Sequence, residues 1–204
     1  METDIVMGAA MDGSADIATD NATNTTSDTA ADLKLAMRQR HTVRKFTSEP
    51  LSAELISQLN DRVCANNERF GYASADLMLF AQALGLNTWW IGGTFSRKNV
   101  EQAVPGKKVI GIVAVGFGVT PGTAHKSKMA AEASSYEGPE PQWFADGVQA
   151  ALLAPTALNK QCFRIAGAGN KVSISENGGA FSGADIGIVK YHFELGAGNA
   201  FEWA

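Results

Sequence analysis

Hydrophobic side chains recur along this chain with two periods. Between Trp143 and Leu153, Phe144, Val148, Ala151 and Leu152 fall at i, i+4, i+7 and i+8, the spacing of one helical face. Pro155 ends that helix, because its ring removes an N–H and fixes φ. Leu33, Ala36, Met37 and Arg40 share one face of an earlier helix that Asp32 can cap, and Leu55, Ile56, Leu59 and Val63 stripe a second helix behind Ser52. From 73 to 84 only Ser74, Asp76 and Gln82 are polar, so the helix running from Phe70 to Leu84 must be buried on most faces, in a core or a subunit interface. Gly85 supplies its left-handed cap. A closing helix over Asp185 to Leu195 carries Ile188, Tyr191 and Leu195 on one stripe. The second period is that of strands. Val109 to Phe117 is a continuous apolar run, as in a strand covered on both faces. Cys162 to Ala166 and Lys171 to Ser175, joined by a Gly167-Ala168-Gly169-Asn170 turn, read as a hairpin.

These elements and 204 residues, 45 % of them hydrophobic, predict one α/β domain from 32 to 204 behind a leader of residues 1–31. The leader is rich in Ala, Thr, Asp, Asn and Ser, lacks aromatic residues, and is predicted to be disordered. It has neither the basic start and apolar run of a secretory signal nor the arginines of a presequence, so the sequons at Asn21 and Asn24 read as chance matches and the cytoplasm is the default location. No apolar run reaches the roughly 18–20 residues of a membrane span. Charge divides along the chain: of the net −4, residues 1–33 hold seven acids and no Lys or Arg, leaving 17 basic against 14 acidic residues in the body. That mild excess suits an anionic small ligand and falls short of a nucleic-acid surface. Cys64 and Cys162 lie far apart and read as buried thiols, and three histidines give a zinc site little to work with.

Four stretches carry candidate chemistry. In Arg40-His41-Thr42-Val43-Arg44-Lys45-Phe46, guanidinium forks and a hydroxyl near a helix boundary suit a phosphate; the alternative is a solvated basic helix end. Asn87 to Phe95 reads Asn-Thr-Trp-Trp-Ile-Gly-Gly-Thr-Phe, a glycine loop open to close backbone approach or an ordinary turn after a core helix. There Trp89 and Trp90 either wall a pocket or pack in the core. Pro121 to Lys128 ends in a Lys-Ser-Lys triplet. In Ala154-Pro155-Thr156-Ala157-Leu158-Asn159-Lys160-Gln161-Cys162-Phe163-Arg164-Ile165, a proline, a hydroxyl and two amides stand between helix and strand. They suit either the gripping of a planar polar ligand or a helix-capping turn. His192 reads as a packed helix residue. No G-x-x-x-x-G-K-S/T loop, G-x-G-x-x-G fingerprint, H-E-x-x-H site or internal repeat is evident.

Taken together, these stretches resemble the nitroreductase family of FMN-dependent oxidoreductases. The last is similar to its A-P-S/T-x-x-N-x-Q flavin-contacting motif, here in the second half of the chain as in a permuted-looking branch. The first resembles R-x-S-x-R/K, the second G-L-x-T/S-x-W-I-x-G, and the third K-S-R/K. The resemblance covers roughly residues 33–204 and departs from the family near 64–69, where Cys64-Ala65-Asn66-Asn67-Glu68-Arg69 replaces several tens of residues with strand and substrate-pocket elements. It implies an α+β fold, a nitroreductase-like three-layer α/β/α sandwich with a mixed, mainly antiparallel central sheet, assembled as a homodimer with FMN at the interface. Arg40, Lys126 and Lys128 would hold the FMN phosphate, with Thr42 and His41 beside them, and Arg44 would face the pyrimidine edge. Gly92 and Gly93 would approach the N5 and O4 edge. Pro155, Thr156, Ala157, Asn159 and Gln161 would contact the flavin from the partner subunit. The implied activity passes electrons from NAD(P)H to a nitroaromatic, quinone or similar acceptor by alternating half-reactions, with no side-chain acid or base. The alternative, prompted by the short segment, is an FMN-binding or structural homodimer with little reductase activity. A nucleic-acid-binding module using Arg40 to Lys45 is disfavoured, since no aromatic residues interleave the cations beyond Phe46.

Overall fold

A computed structural model describes residues 6–7, 27–64, 70–105, 109–176, 178 and 181–204. Most of the expected leader, its sequons, and the short segment at 65–69 lie outside these residues. The described elements are strand β1 (Val6–Met7), helices α1 (Ser27–Gln39), α2 (Ala53–Cys64) and α3 (Phe70–Ala83), strand β2 (Asn87–Ile91), helix α4 (Arg97–Ala103) and strand β3 (Ile112–Gly116). Then come helix α5 (Ala130–Ala133), strand β4 (Ser134–Glu137), helix α6 (Gln142–Ala151), strands β5 (Phe163–Ala168) and β6 (Lys171–Glu176), helix α7 (Ser182–Ala197) and strand β7 (Glu202–Trp203).

The patterned helices form where the periodicity places them. Leu33, Ala36, Met37 and Arg40 are buried, as are Phe144, Val148, Ala151 and Leu152. Ser52 Oγ accepts the Leu55 N–H at 3.2 Å, closing the first turn of α2. Helix α1 begins at Ser27, five residues before Asp32. Helix α3 is buried at nine positions, as its nearly continuous apolar surface requires.

The α+β class is as expected. Where a single central sheet was expected, the described strands divide between two: an antiparallel sheet in the order β1-β3-β2, and a mixed sheet in the order β4-β5-β6-β7. The division follows from what each sheet covers. β2 and β3 lie on α2 and α3, where Leu59, Leu77, Met78, Leu86, Val113 and Val115 close one core. β5 alternates buried and exposed residues, putting Phe163 and Ile165 against α6 and α7 with Phe144, Val148, Ile188 and Phe193. The hairpin turn is tighter than its sequence suggests, because Gly167 and Ala168 remain in β5 and only Gly169 and Asn170 turn.

Helices α3 and α7 join the two halves at a close crossing that depends on glycine. A Cβ on Gly71 would lie 2.1 Å from Ala184 O, and one on Gly187 would lie 2.7 Å from Tyr72 N. Any side chain there would force the helices apart.

Candidate functional site

The stretch after α6 is a loop held by side chains from two other parts of the chain. Helix α6 ends at Ala151, and the carbonyl of Leu152 accepts three bonds: from His125 Nε2 at 3.0 Å, Ser127 Oγ at 2.9 Å and Gln161 Nε2 at 2.9 Å. Because a carbonyl only accepts, His125 carries its proton on Nε2. Gln161 is 1 % exposed, and the other end of its amide accepts Lys128 N–H at 2.7 Å. Lys128 Nζ returns to Gln161 O at 2.8 Å, Asn159 Nδ2 donates to Lys126 O at 2.8 Å, and Gln161 N–H donates to Thr156 Oγ1 at 3.0 Å. Asp185, from the first turn of α7, accepts Ala157 N–H on both carboxylate oxygens at 3.1 and 3.0 Å.

These bonds hold a backbone that a free chain would avoid. Leu158, Asn159 and Gln161 sit at φ of 53°, 55° and 47°, the left-handed region, which costs a non-glycine residue on the order of 1–3 kcal/mol each. Leu158 is 87 % exposed at the apex, while Pro155, Thr156 and Ala157 are half-buried and Asn159 is exposed.

The basic segment follows α1. Arg40 N–H completes the last turn on Ala36 O, and its side chain turns inward to 5 % exposure. Burial lowers the guanidinium from its ordinary value to about 10, which leaves it charged at neutral pH, and among the described residues Nη1 has no hydrogen-bond partner. A buried cation with an unfilled donor is costly, and an anion is the ligand that would fill it. Thr42 bridges Thr88 of β2, Val43 N–H donates to Thr88 O at 3.2 Å, and His41 Cβ and Thr42 O pack over Gly122. The segment therefore lies beside the strand exit that leads to His125. Arg44 is exposed, its guanidinium 5.7 Å from the Trp89 ring centroid.

His192 on α7 shares the neighbourhood of Arg40. Its Nδ1 lies 2.9 Å from Ile188 O, which fixes the proton on Nδ1 and leaves Nε2 a buried bare acceptor with no partner among the described residues. Burial, opposed by the Ile188 carbonyl and aided by the nearby charges of Arg40 and His125, pushes this imidazole down to about 3. It is neutral at every working pH, a packed helix residue as its sequence context suggests.

The glycine loop is arranged differently. The Phe181 ring stands against Gly92, within 2.7–2.9 Å of where a Cβ would be, and meets Trp90 edge-on at 5.6 Å between centroids. Arg97 donates to Val109 O and, at 3.4 Å, to Gly92 O. Gly93 is exposed, with open space where a Cβ would stand. Among the described residues, no hydrogen bond joins Gly92 or Gly93 to Arg40 or to the 155–161 loop.

The structure thus unites Lys126, Lys128, Thr156, Ala157, Asn159 and Gln161 within one chain, places Arg40, His41 and Thr42 near them through His125 and Gly122, and leaves Arg44, Gly92 and Gly93 outside that network. His125, Ser127, Asp185 and Phe181 are the participants that sequence reasoning missed. Only His125 and Ser127 gave a signal, as neighbours of the two lysines. Among the described residues, no group of His, Cys, Asp and Glu could hold a metal ion, and no helix is long and apolar enough to cross a membrane. Cys162 is a free, half-buried thiol; the side chain of Cys64 lies outside the description.

The fold is shared with a putative nitroreductase from Thermotoga maritima MSB8, whose crystal structure matches at a TM-score of 0.64 and 19 % identity over 87 % of this chain and 88 % of that one. The crystal structure of a putative nitroreductase in complex with FMN from Desulfovibrio desulfuricans matches at 0.39 and 17 % identity over 60 % of this chain and 100 % of that one, below the score of a shared fold. No curated protein matches the sequence. Residues 64–197 match the family described as "Putative TM nitroreductase", and that span, well over half of the chain, makes this protein a member of it.

Proposed function

We propose that the chain is an FMN-dependent oxidoreductase that passes electrons from NAD(P)H to a nitroaromatic, quinone or similar acceptor in alternating half-reactions. The observation that carries this reading is Arg40, a buried guanidinium whose Nη1 has no partner among the described residues, followed by His41 and Thr42, which pack over Gly122 on the segment that leads to Lys126 and Lys128. These residues fit the phosphate of FMN, since charge-assisted bonds from a guanidinium to a phosphate dianion are stronger than neutral ones. When bound, FMN supplies the two-electron chemistry. The protein supplies binding, orientation and electrostatics. Arg40 and the two lysines would anchor the phosphate, and Pro155, Thr156, Ala157 and Asn159 would offer a rigid rim to the ring, with Gln161 fixing that rim from below. Arg44, Gly92 and Gly93 would stabilise charge at the ring edges. The exposed apolar side chain of Leu158 suits a homodimer in which a second copy covers this loop.

Arg40→Ala is expected to weaken FMN binding by roughly 1.5–3 kcal/mol, the range for a charged hydrogen bond, measured by quenching of flavin fluorescence. Unchanged affinity in a folded variant would remove Arg40 from the site. A second reading, an FMN-binding protein without efficient turnover, is favoured by Phe181, which occupies the face of Gly92. Steady NAD(P)H oxidation upon addition of a nitro compound or quinone would eliminate it.

A further inference from the structure

We infer that Asp185 is a positioning residue for the cofactor-contacting loop: its carboxylate fixes Ala157 N–H and, through it, the left-handed run from Leu158 to Gln161. The inference rests on the function proposed above. Ala157 is the first residue of the short 3-10 turn Ala157–Asn159, so the bond acts at the point where the chain leaves its extended course at Thr156 and enters the strained positions. The other ties are of a different kind. Those through Gln161, Asn159 and Lys128 connect the far end of the loop to residues 126–128 and Leu152. Among the described residues, the Asp185 bond is the one hydrogen bond from the loop to α7. With both oxygens on a single N–H, the carboxylate restrains Ala157 in two directions at once.

The group is an expensive one for that task. Burial raises Asp185 to about 6, outweighing the Ala157 N–H, which lowers it. An asparagine would accept the same bond without burying a charge. Among the described residues, no cation offsets the cost. On α3, Asp76 is paired with Arg62; on α6, Asp146 accepts the Gln142 amide; on α1, Asp32, Lys34 and Arg38 are exposed, and Arg40 beyond it acts on His192. On β6, Lys171 pairs with Glu202 and Glu176 is exposed; on α7 itself, Lys190 lies over Trp203 and Glu194 accepts from Tyr72 and Trp203. None of these groups enters the titration of Asp185. A carboxylate placed this way gives the loop a pH-dependent hold: above about pH 6 the cost of burying the charge outweighs the charge-assisted bond, and below it the protonated group holds the loop without that cost.

The test measures amide hydrogen exchange over residues 156–162, corrected for intrinsic rates, from pH 5 to 8, alongside FMN affinity at the same pH values. Wild type, Asp185→Asn and Asp185→Ala are compared. Because the closed loop holds the Asp185 proton more tightly than an open one would, wild type is expected to gain protection by about tenfold as pH falls from 7 to 5. Asp185→Asn should remove the pH step while keeping the loop protected, a rescue that a purely space-filling role would not produce. Asp185→Ala should show low protection at every pH. Wild-type protection in Asp185→Ala, or a pH step that survives in Asp185→Asn, would overturn the inference. Failure of wild type to bind FMN at any pH would instead overturn the proposed cofactor, and the exchange data would still decide whether Asp185 holds the loop.

Discussion

Asp76 and Asp185 stand on two helices packed against each other, each after an alanine and before a large aliphatic residue, and their environments diverge completely. Asp76, with a side chain 6 % exposed, accepts two parallel bonds from Arg62 at 2.6 and 2.5 Å and a third from the Tyr191 hydroxyl. Its hydrogen bond and charge hold Arg62 above its ordinary value. Asp185 is half-buried and, among the described residues, meets a single backbone N–H. The first carboxylate is part of the packing that joins α2, α3 and α7. The second is a charge whose burial is unsupported, and it is attached to the one strained loop among the candidate binding elements. The pair shows that a buried acid must be judged by its partners, since its burial alone does not distinguish a structural role from a functional one.

Removing one member of the Arg62–Asp76 pair should have the largest effect. Asp76→Ala leaves a part-buried guanidinium and the Tyr191 hydroxyl without their acceptor, and is expected to cost about 3 kcal/mol in chemical denaturation. A loss comparable to that of Asp185→Ala would break the comparison. His192 sharpens it from the other end of α7. Its folded value, near 3, lies below the unfolded value of about 6.5, so stability is lost as pH falls from 6.5 toward 3. Between pH 6.5 and 5 the loss should reach about 2 kcal/mol, and His192→Gln should flatten that slope. Tyr191→Phe removes one donor to Asp76 and should cost about 1 kcal/mol, measured by thermal unfolding. The smallest effect has the opposite sign. Asp185 is raised in the fold, so its charge opposes folding above about pH 6, and this penalty disappears below the unfolded value near 4. Asp185→Asn should therefore stabilise the protein at pH 7 by about 1 kcal/mol or less, since partial exposure screens the charge, and should have no such effect at pH 4.

Features that depend on local sequence were legible. The stripe Phe144, Val148, Ala151, Leu152 located α6, and the apolar run from 73 to 84 located α3 and its burial, because periodicity reports which face must leave water. The short strands β1, β4 and β7 and the helices α4 and α5 were not legible, since two to seven residues carry too little period to register. The site divided along the same line. Arg40 and the loop from Pro155 to Gln161 were marked by residue type at fixed spacing. What the sequence could not show was which partners they have. Ala157 and Asp185 are 28 residues apart, Gln161 and Lys128 are 33 apart, and Phe181 reaches Gly92 from across the molecule. The return of residues 125–128 to the end of α6, and the position of α7 beside the loop, are long-range arrangements that local sequence does not carry.

The central claim is that the buried Arg40 and the loops around it bind a flavin that takes electrons from a nicotinamide. The most direct measurement is the visible absorption spectrum of the purified protein, loaded with FMN and desalted, before and after NADH or NADPH is added without oxygen. The account predicts a flavin spectrum that survives desalting and bleaches upon reduction. A colourless protein that retains no added FMN would contradict it.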